Sequence, residues 1–285
     1  MRLNKFISAA IIALFLFTAG AHAQQLKTPA PSPTQTIDQA FALSNIKIEY
    51  SRPSVKGRII YGDLVPYGKL WRTGANSATK ITFGDDVKIN GKPLLAGTYA
   101  VYTLPGRDSW DIYFNRDLSR GGDVAGYKQE EEALKIQATP TTLPNMVETF
   151  TINIADMTAS TATIELLWEK TRVPIFVTAD FDEKVMKNIE AALEKDSRPY
   201  FQAANYYYEN NKDLATALNW VNLAIEQNPK AFWMVHLKAK IYKKMNDPKN
   251  AIAAAEESMK IAKEAGSDDY VRLNEKLIAD AKKGN

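Results

Sequence analysis

TKITFGDDVKINGKPLLAGTYAVYT, from Thr79 to Thr103, places short β-branched and aromatic runs between turn residues. Thr79–Phe83, Val87–Ile89 and Gly97–Thr103 each have the length and composition of a strand. Asn90-Gly91, followed by Lys92-Pro93, supplies the positive φ angles of a tight hairpin turn. The same period of two continues outward. Ile46, Ile48 and Tyr50 alternate with Lys47 and Glu49, and Phe150, Ile152 and Ile154 with Thr151 and Asn153. Ala162, Ile164, Leu166 and Trp168 alternate with Thr163, Glu165 and Glu169, only Leu167 breaking the polar face. Each pattern describes a half-buried strand, and Trp110–Phe114 adds another. Many short strands with regular turns and no interleaved helices predict a mainly-β, sandwich-like domain over residues 41–177, a barrel being the alternative closure.

After Val177 the period changes. Phe181, Val185, Ile189 and Leu193 recur every four residues behind Asp180 and Asp182, which predicts a capped amphipathic connecting helix within residues 178–197. Beyond it Tyr208, Asp213 and Ala217 recur as Tyr242, Asp247 and Ala251, a spacing of 34 residues. That is the tetratricopeptide period, two antiparallel helices per unit. Phe201, Ala204, Tyr208, Ala217, Val221, Ala224 and Pro229 occupy the bulky, small and helix-ending positions of the first unit. The second keeps Tyr242 and Ala251 but has Ser258 and Lys263 at the last two. Residues 198–285 therefore predict an all-α, tetratricopeptide-like module, closed by a capping helix over Asp268–Lys283. Such a module offers a short groove for a protein or peptide partner, or serves as a structural appendage. A structural role through the groove requires exposed aromatic residues there, among them Tyr206, Tyr207 or Trp233.

At the other end, Arg2 and Lys5 precede an apolar run and the small-residue pattern Ala21-His22-Ala23, the pattern of a signal peptide over residues 1–23. No later segment is apolar for the roughly 20 residues a spanning helix needs, so no stable membrane span is expected after cleavage. Localisation is expected to be periplasmic or secreted. Residues 24–40, rich in Pro, Ser, Thr and Gln, read as a flexible leader. The chain has no cysteine, which excludes disulfides, thiolate metal sites and cysteine nucleophiles. Its formal charge of +3 falls to +1 with the loss of Arg2 and Lys5. There is no global basic field for nucleic acid.

Conventional catalytic chemistry has little to work with. Of the two histidines, His22 leaves with the signal peptide and His236 lies on a repeat helix without a second histidine at ligand spacing. A Ser/His/Asp triad and a histidine metal site are therefore not expected. Asp85 with Asp86 flanks a hairpin, and Asp180, Asp182 and Glu183 open a helix, where negative charge is favourable in any case. No calcium loop, phosphate-cradling glycine loop or nucleotide fingerprint occurs, and Gly121-Gly122 reads as a flexible turn. No catalytic residue, metal or cofactor is assigned.

Tyr50–Thr79, YSRPSVKGRIIYGDLVPYGKLWRTGANSAT, is different in kind. Between Tyr50 and Lys80 stand Arg52, Lys56, Arg58, Lys69, Arg72 and Lys80 against one acid, Asp63. A guanidinium is a planar fork that pairs with carboxylate, sulfate or phosphate, and an adjacent tryptophan offers a flat apolar face. Arg72 as anion donor, Trp71 as stacking platform, Thr73 and Asn76 beside a glycine turn, and Arg52 and Arg58 as steering charge make a candidate ligand site. The competing reading makes the arginines internal braces, paired across the sandwich with carboxylates such as Glu148 or Glu165. Both readings use the same residue types.

The same block, with VKINGKPLLAGTYAVYTLPG and WDIYFN, resembles the signature of the secreted bacterial family of domain of unknown function 2911, over roughly Phe41–Val177. The resemblance implies an all-β domain outside the cytoplasm, in some members followed by helical repeats. It implies no activity and transfers no catalytic residue. The expected function is that of an exported, non-catalytic binding or scaffolding protein. Its β domain would recognise a small anionic or sugar-like ligand or an envelope partner. A carbohydrate-active hydrolase or lyase, and a structural envelope protein working through its repeats, are the alternatives. The hydrolase would need two carboxylates flanking a cleft at about 5 to 10 Å.

Overall fold

The computed structural model describes residues 28–194 and 199–283. The expected signal peptide lies outside them. Two compact units divide at Asp180/Phe181. Among the described residues the first holds ten strands: β1 Thr34–Phe41, β2 Ser44–Ser51, β3 Thr79–Phe83, β4 Val87–Ile89, β5 Lys92–Leu94, β6 Gly97–Leu104, β7 Trp110–Asn115, β8 Glu132–Ala138, β9 Thr141–Ala155 and β10 Thr161–Thr178. They form a six-stranded sheet ordered β1-β2-β3-β6-β7-β8 and a four-stranded sheet ordered β5-β4-β10-β9. All named pairings are antiparallel.

The alternation read in the sequence sorts the side chains. From the first sheet Ile46, Ile48, Ile81, Phe83, Val101, Ile112, Phe114 and Ile136 are buried, and from the second Ile89, Phe150, Ile152, Ile164, Leu166, Trp168, Val173 and Ile175. They belong to one continuous core, in which burial of each large side chain contributes about 1.5–3 kcal/mol. The Asn90-Gly91 turn is realised as expected. Both residues have positive φ, 46° and 80°, and join Val87–Ile89 to Lys92–Leu94 in a two-residue hairpin. Asn90 also receives the Phe176 N–H on its Oδ1 at 2.8 Å and donates its backbone N–H to the Phe176 carbonyl at 2.8 Å, tying the hairpin to β10.

Two boundaries and one turn differ from the sequence reading. The leader was expected to run to residue 40, yet β1 begins at Thr34 and pairs with β2 from Thr34↔Ser51 to Phe41↔Ser44. β1 is an edge strand with one face in solvent, so its few apolar residues suffice and its polar composition resembles a leader. Second, β10 runs to Thr178, and the connecting helix begins at Asp182 and is described as far as Glu194. Third, Ser119–Gly126 is not a free turn. The Gly121 carbonyl accepts the Ala78 N–H at 2.7 Å, and Val124 and Tyr127 pack on Ala78, Ala100 and Tyr102. This small second core buries both faces of β6.

The second unit contains six helices among the described residues: α1 Asp182–Glu194, α2 Tyr200–Glu209, α3 Leu214–Gln227, α4 Phe232–Lys244, α5 Pro248–Glu264 and α6 Asp268–Lys283. Their arrangement is tetratricopeptide-like. Ala204, Ala217 and Val221 are fully buried where the repeat pattern needs small or apolar residues, with Phe201 and Tyr208 packed against them. Asp213 and Asp247, the residues that recur at 34, cap α3 and α5. Their carboxylates accept the N–H of Thr216 at 2.7 Å and of Asn250 at 3.1 Å. No helix among the described residues is long and apolar enough to cross a membrane.

Candidate functional site

The stretch Tyr50–Thr79 contains the corner at which the chain leaves one sheet for the other. β2 ends at Ser51, and the next residues pair with β9 in the second sheet. Pro53 accepts the Phe150 N–H at 2.8 Å, Val55 donates to the Glu148 carbonyl at 2.8 Å, and Ser54 forms a bridge with Thr149. Pro53 suits this position because it gives the corner a fixed φ and its carbonyl remains free to accept. Arg52 rivets the corner: its Nε donates to the Phe150 carbonyl at 3.2 Å and its Nη2 to Thr151 Oγ1 at 2.9 Å.

Trp71 and Thr73 hold the return. Trp71 bridges to Thr103 of β6 and sits in a cluster with Tyr61, Trp110, Phe150 and Trp168, most contacts being edge-to-face. Its indole N–H donates to the Gly74 carbonyl at 3.0 Å. Trp71 is thus chiefly a core residue, and the open stacking platform expected from sequence is reduced to an edge. Thr73 is wholly buried at φ 56°. Its hydroxyl donates to Thr103 Oγ1 at 3.2 Å and its carbonyl accepts the Thr79 hydroxyl. Those bonds hold a β-branched residue in a left-handed conformation that would otherwise be costly. At Gly74, φ is 147° and a Cβ would stand 3.1 Å from the Ser51 carbonyl oxygen, so only glycine fits without displacement.

Beside this turn lies a cavity of about 230 Å³, lined by Pro53, Arg58, Leu64, Trp71, Arg72 and Trp168 among others. Of the six residues expected to make the site, three line it: Arg58, Trp71 and Arg72. The remaining three serve the frame. Arg52 is the corner rivet and Thr73 is sealed in the core. Asn76 donates to the Ser32 carbonyl and to Ser51 Oγ, both at 3.2 Å, and lines a neighbouring cavity with Glu49, Tyr50 and Lys80. Trp168, Leu64 and Pro53 were missed as lining residues. Trp168 was visible only as an inward position on a strand, and nothing in the local sequence links it to Trp71, nearly a hundred residues earlier.

The brace reading is half right in kind and wrong in partner. Arg58 donates to the carbonyls of Val55 at 3.0 Å and Ser54 at 2.6 Å, as Arg52 does to the Phe150 carbonyl. Neither finds a carboxylate. Glu148 instead accepts the Lys56 N–H at 2.8 Å, and Glu165 pairs with Arg172 at 2.6 Å. Arg72 is different again, because its Nε is buried and has no hydrogen-bond acceptor among the described residues. None of the three arginines is in an ion pair among the described residues. A carbonyl satisfies a guanidinium N–H without neutralising its charge, so Arg58 and Arg72 carry unbalanced positive charge at the cavity.

The family profile of the proteins of unknown function DUF2911 matches residues 32–177, half of the chain. The chain belongs to this family. The matched segment begins two residues before β1 and ends within β10, so DUF2911 here corresponds to the sandwich, edge strand included. No curated protein and no solved structure shows significant similarity to the chain.

Proposed function

We propose that this DUF2911 domain is a non-catalytic binding module that takes a small anion-bearing ligand, such as a carboxylate, sulfate or phosphate, at the Arg58–Arg72 cavity. The observation that carries the reading is Arg72, whose Nε is a buried donor without an acceptor among the described residues and which lines a cavity whose lining includes no carboxylate. An incoming oxyanion would give the Arg72 guanidinium, which lines the cavity, the counter-charge that no ion pair among the described residues supplies. Leu64, Val65 and the tryptophan edges give the ligand an apolar wall. A hydrolase reading would require paired carboxylates at this cavity, and it has none to offer.

Anions such as sulfate, phosphate and small carboxylates should raise the melting temperature of the intact protein. The response should disappear in Arg72→Ala and persist in Arg52→Ala. Equal responses in wild type and Arg72→Ala would remove this cavity from the reading.

Export to the periplasm or beyond belongs to the same proposal and is carried by the N-terminal residues of the sequence. Fractionation of cells producing the full chain, together with the N-terminal sequence of the product, tests it. The helical unit would act as a scaffold towards a protein partner. Of its three proposed contact aromatics Trp233 is the most open, at 37% exposure. Tyr207 packs on Trp220 with ring centroids 4.7 Å apart, and the Tyr206 hydroxyl donates to Asp182 at 2.7 Å.

A further inference from the structure

A second cavity, of about 110 Å³, lies against Tyr61 and Trp110 of the aromatic cluster and shares no lining residue with the Arg72 cavity. Its volume is several times the roughly 10–15 Å³ needed to admit one water. Tyr61, Tyr67, Arg107, Trp110, Thr142 and Thr171 line it. Tyr61 is the unusual member. Only 9% of the residue is exposed, its ring is fixed edge-on against Trp110 at 5.1 Å, and its hydroxyl has no hydrogen-bond partner among the described residues. Among the described residues the side-chain polar atoms that are both sealed and without a hydrogen-bond partner are Arg72 Nε and Arg120 Nε, so the Tyr61 hydroxyl, which makes no bond within the protein, is open to the cavity that the residue lines.

Burial, with the Glu169 carboxylate next in importance, pushes the Tyr61 hydroxyl well above the usual tyrosine range. Like any tyrosine hydroxyl it is protonated at neutral pH, and it can donate at the cavity that Tyr61 lines. Thr142 and Thr171 face each other across β9 and β10 and bring hydroxyls that both donate and accept. The exposed Arg107 guanidinium lies over the Tyr67 ring, 4.8 Å from its centre, which orients a fork of donors at the rim.

We infer that this cavity binds a monosaccharide-sized ring bearing a carboxylate, a uronic acid, with Tyr61 donating to a ring or hydroxyl oxygen and Arg107 engaging the carboxylate. Threonine hydroxyls and aromatic edges suit the alternating polar and apolar surface of a sugar, while the guanidinium selects the acid over the neutral hexose. This site stands independently of the anion cavity at Arg72.

Tyr61→Phe removes one oxygen and keeps the aromatic packing. Without ligand, the melting temperature of this variant should equal or exceed that of wild type. Glucuronate should stabilise wild type more than glucose does. Tyr61→Phe should weaken glucuronate binding about tenfold, the equivalent of one hydrogen bond, and Arg107→Ala should abolish the preference over glucose. Arg72→Ala should leave the glucuronate response intact, which separates this site from the anion cavity. A fall of several degrees for ligand-free Tyr61→Phe would mean that the hydroxyl has a partner within the protein, and would overturn the inference. So would the absence of any glucuronate response in wild type, or an equal response in Tyr61→Phe.

Discussion

Trp71 lies nearly parallel on Trp168, with ring centroids 5.9 Å apart and planes 19° from parallel. One ring comes from the connection bonded to β6, the other from β10, so the stack joins the two sheets beside the corner at Pro53. Phe150 closes on both, at 5.3 Å from Trp71 and 5.6 Å from Trp168.

Trp71→Ala should therefore cost about 3–5 kcal/mol of stability in urea unfolding, the range for removing a large aromatic side chain from a packed core. Trp71→Phe should cost less than Trp71→Ala, since it keeps an aromatic ring but loses the N–H bond to the Gly74 carbonyl. An alanine variant as stable as wild type would show that the cluster carries little of the stability.

Arg52→Met isolates the corner rivet. Losing two hydrogen bonds should destabilise the domain by about 1–3 kcal/mol, with the sulfate response unchanged because Arg52 does not line the Arg72 cavity. Arg72→Met should show the reverse pattern: little loss of stability and no sulfate response. Thermal melts of the two variants with and without sulfate distinguish these outcomes.

Gly74→Ala places a methyl group 3.1 Å from a backbone oxygen at φ 147°. The strain should cost more than about 1 kcal/mol, measured by chemical denaturation. Gly91→Ala, at φ 80° with open space around it, meets only the conformational penalty and should be the milder of the two.

His236 gives the helical unit a pH dependence of definite sign. Its Nδ1 pairs with Asn274 Oδ1 at 2.7 Å, and because the Asn274 amide donates to Ser258 Oγ and the Tyr270 carbonyl, the histidine is the donor. Burial lowers the histidine's pKa, with the Asn274 bond partly opposing the shift. In the unfolded chain the value is near 6.5, so the unfolded state binds more protons as pH falls below it. The contribution is complete above about pH 6.5 and is lost as pH drops through the folded-state value. Melts followed at 222 nm should show a lower transition for the helices at pH 5 than at pH 7.5, and a smaller difference in His236→Gln. A difference of the same size in the variant would assign the effect to other groups.

Most of this architecture is legible in the sequence because its signals are local. The alternation in Ile46–Tyr50 and Phe150–Ile154, the Asn90-Gly91 turn and the 34-residue recurrence each reflect contacts with near neighbours or with solvent. β1 was misread because an edge strand needs little apolar content to be held by its partner. The site was legible in composition but not in geometry. Whether Arg52 faces Phe150 and Arg72 faces a cavity depends on pairings across nearly a hundred residues, and no local pattern encodes them. Thr73 illustrates the same limit. As a polar residue beside a glycine it reads as a ligand contact, while its bonds to Thr79 and Thr103 make it part of the interior.

The pairing of Pro53 and Val55 with β9 also bears on the order in which the chain assembles. The β9–β10 hairpin and the β1–β2 hairpin join residues close in sequence, so each can form early at small entropic cost. The corner must bring Pro53 to Phe150 with the whole of β3 to β8 in the intervening loop, and it holds only after that loop is ordered. Closure at Pro53 is therefore expected late in folding. Substitutions there should chiefly hasten unfolding, whereas those in the β9–β10 hairpin should slow folding.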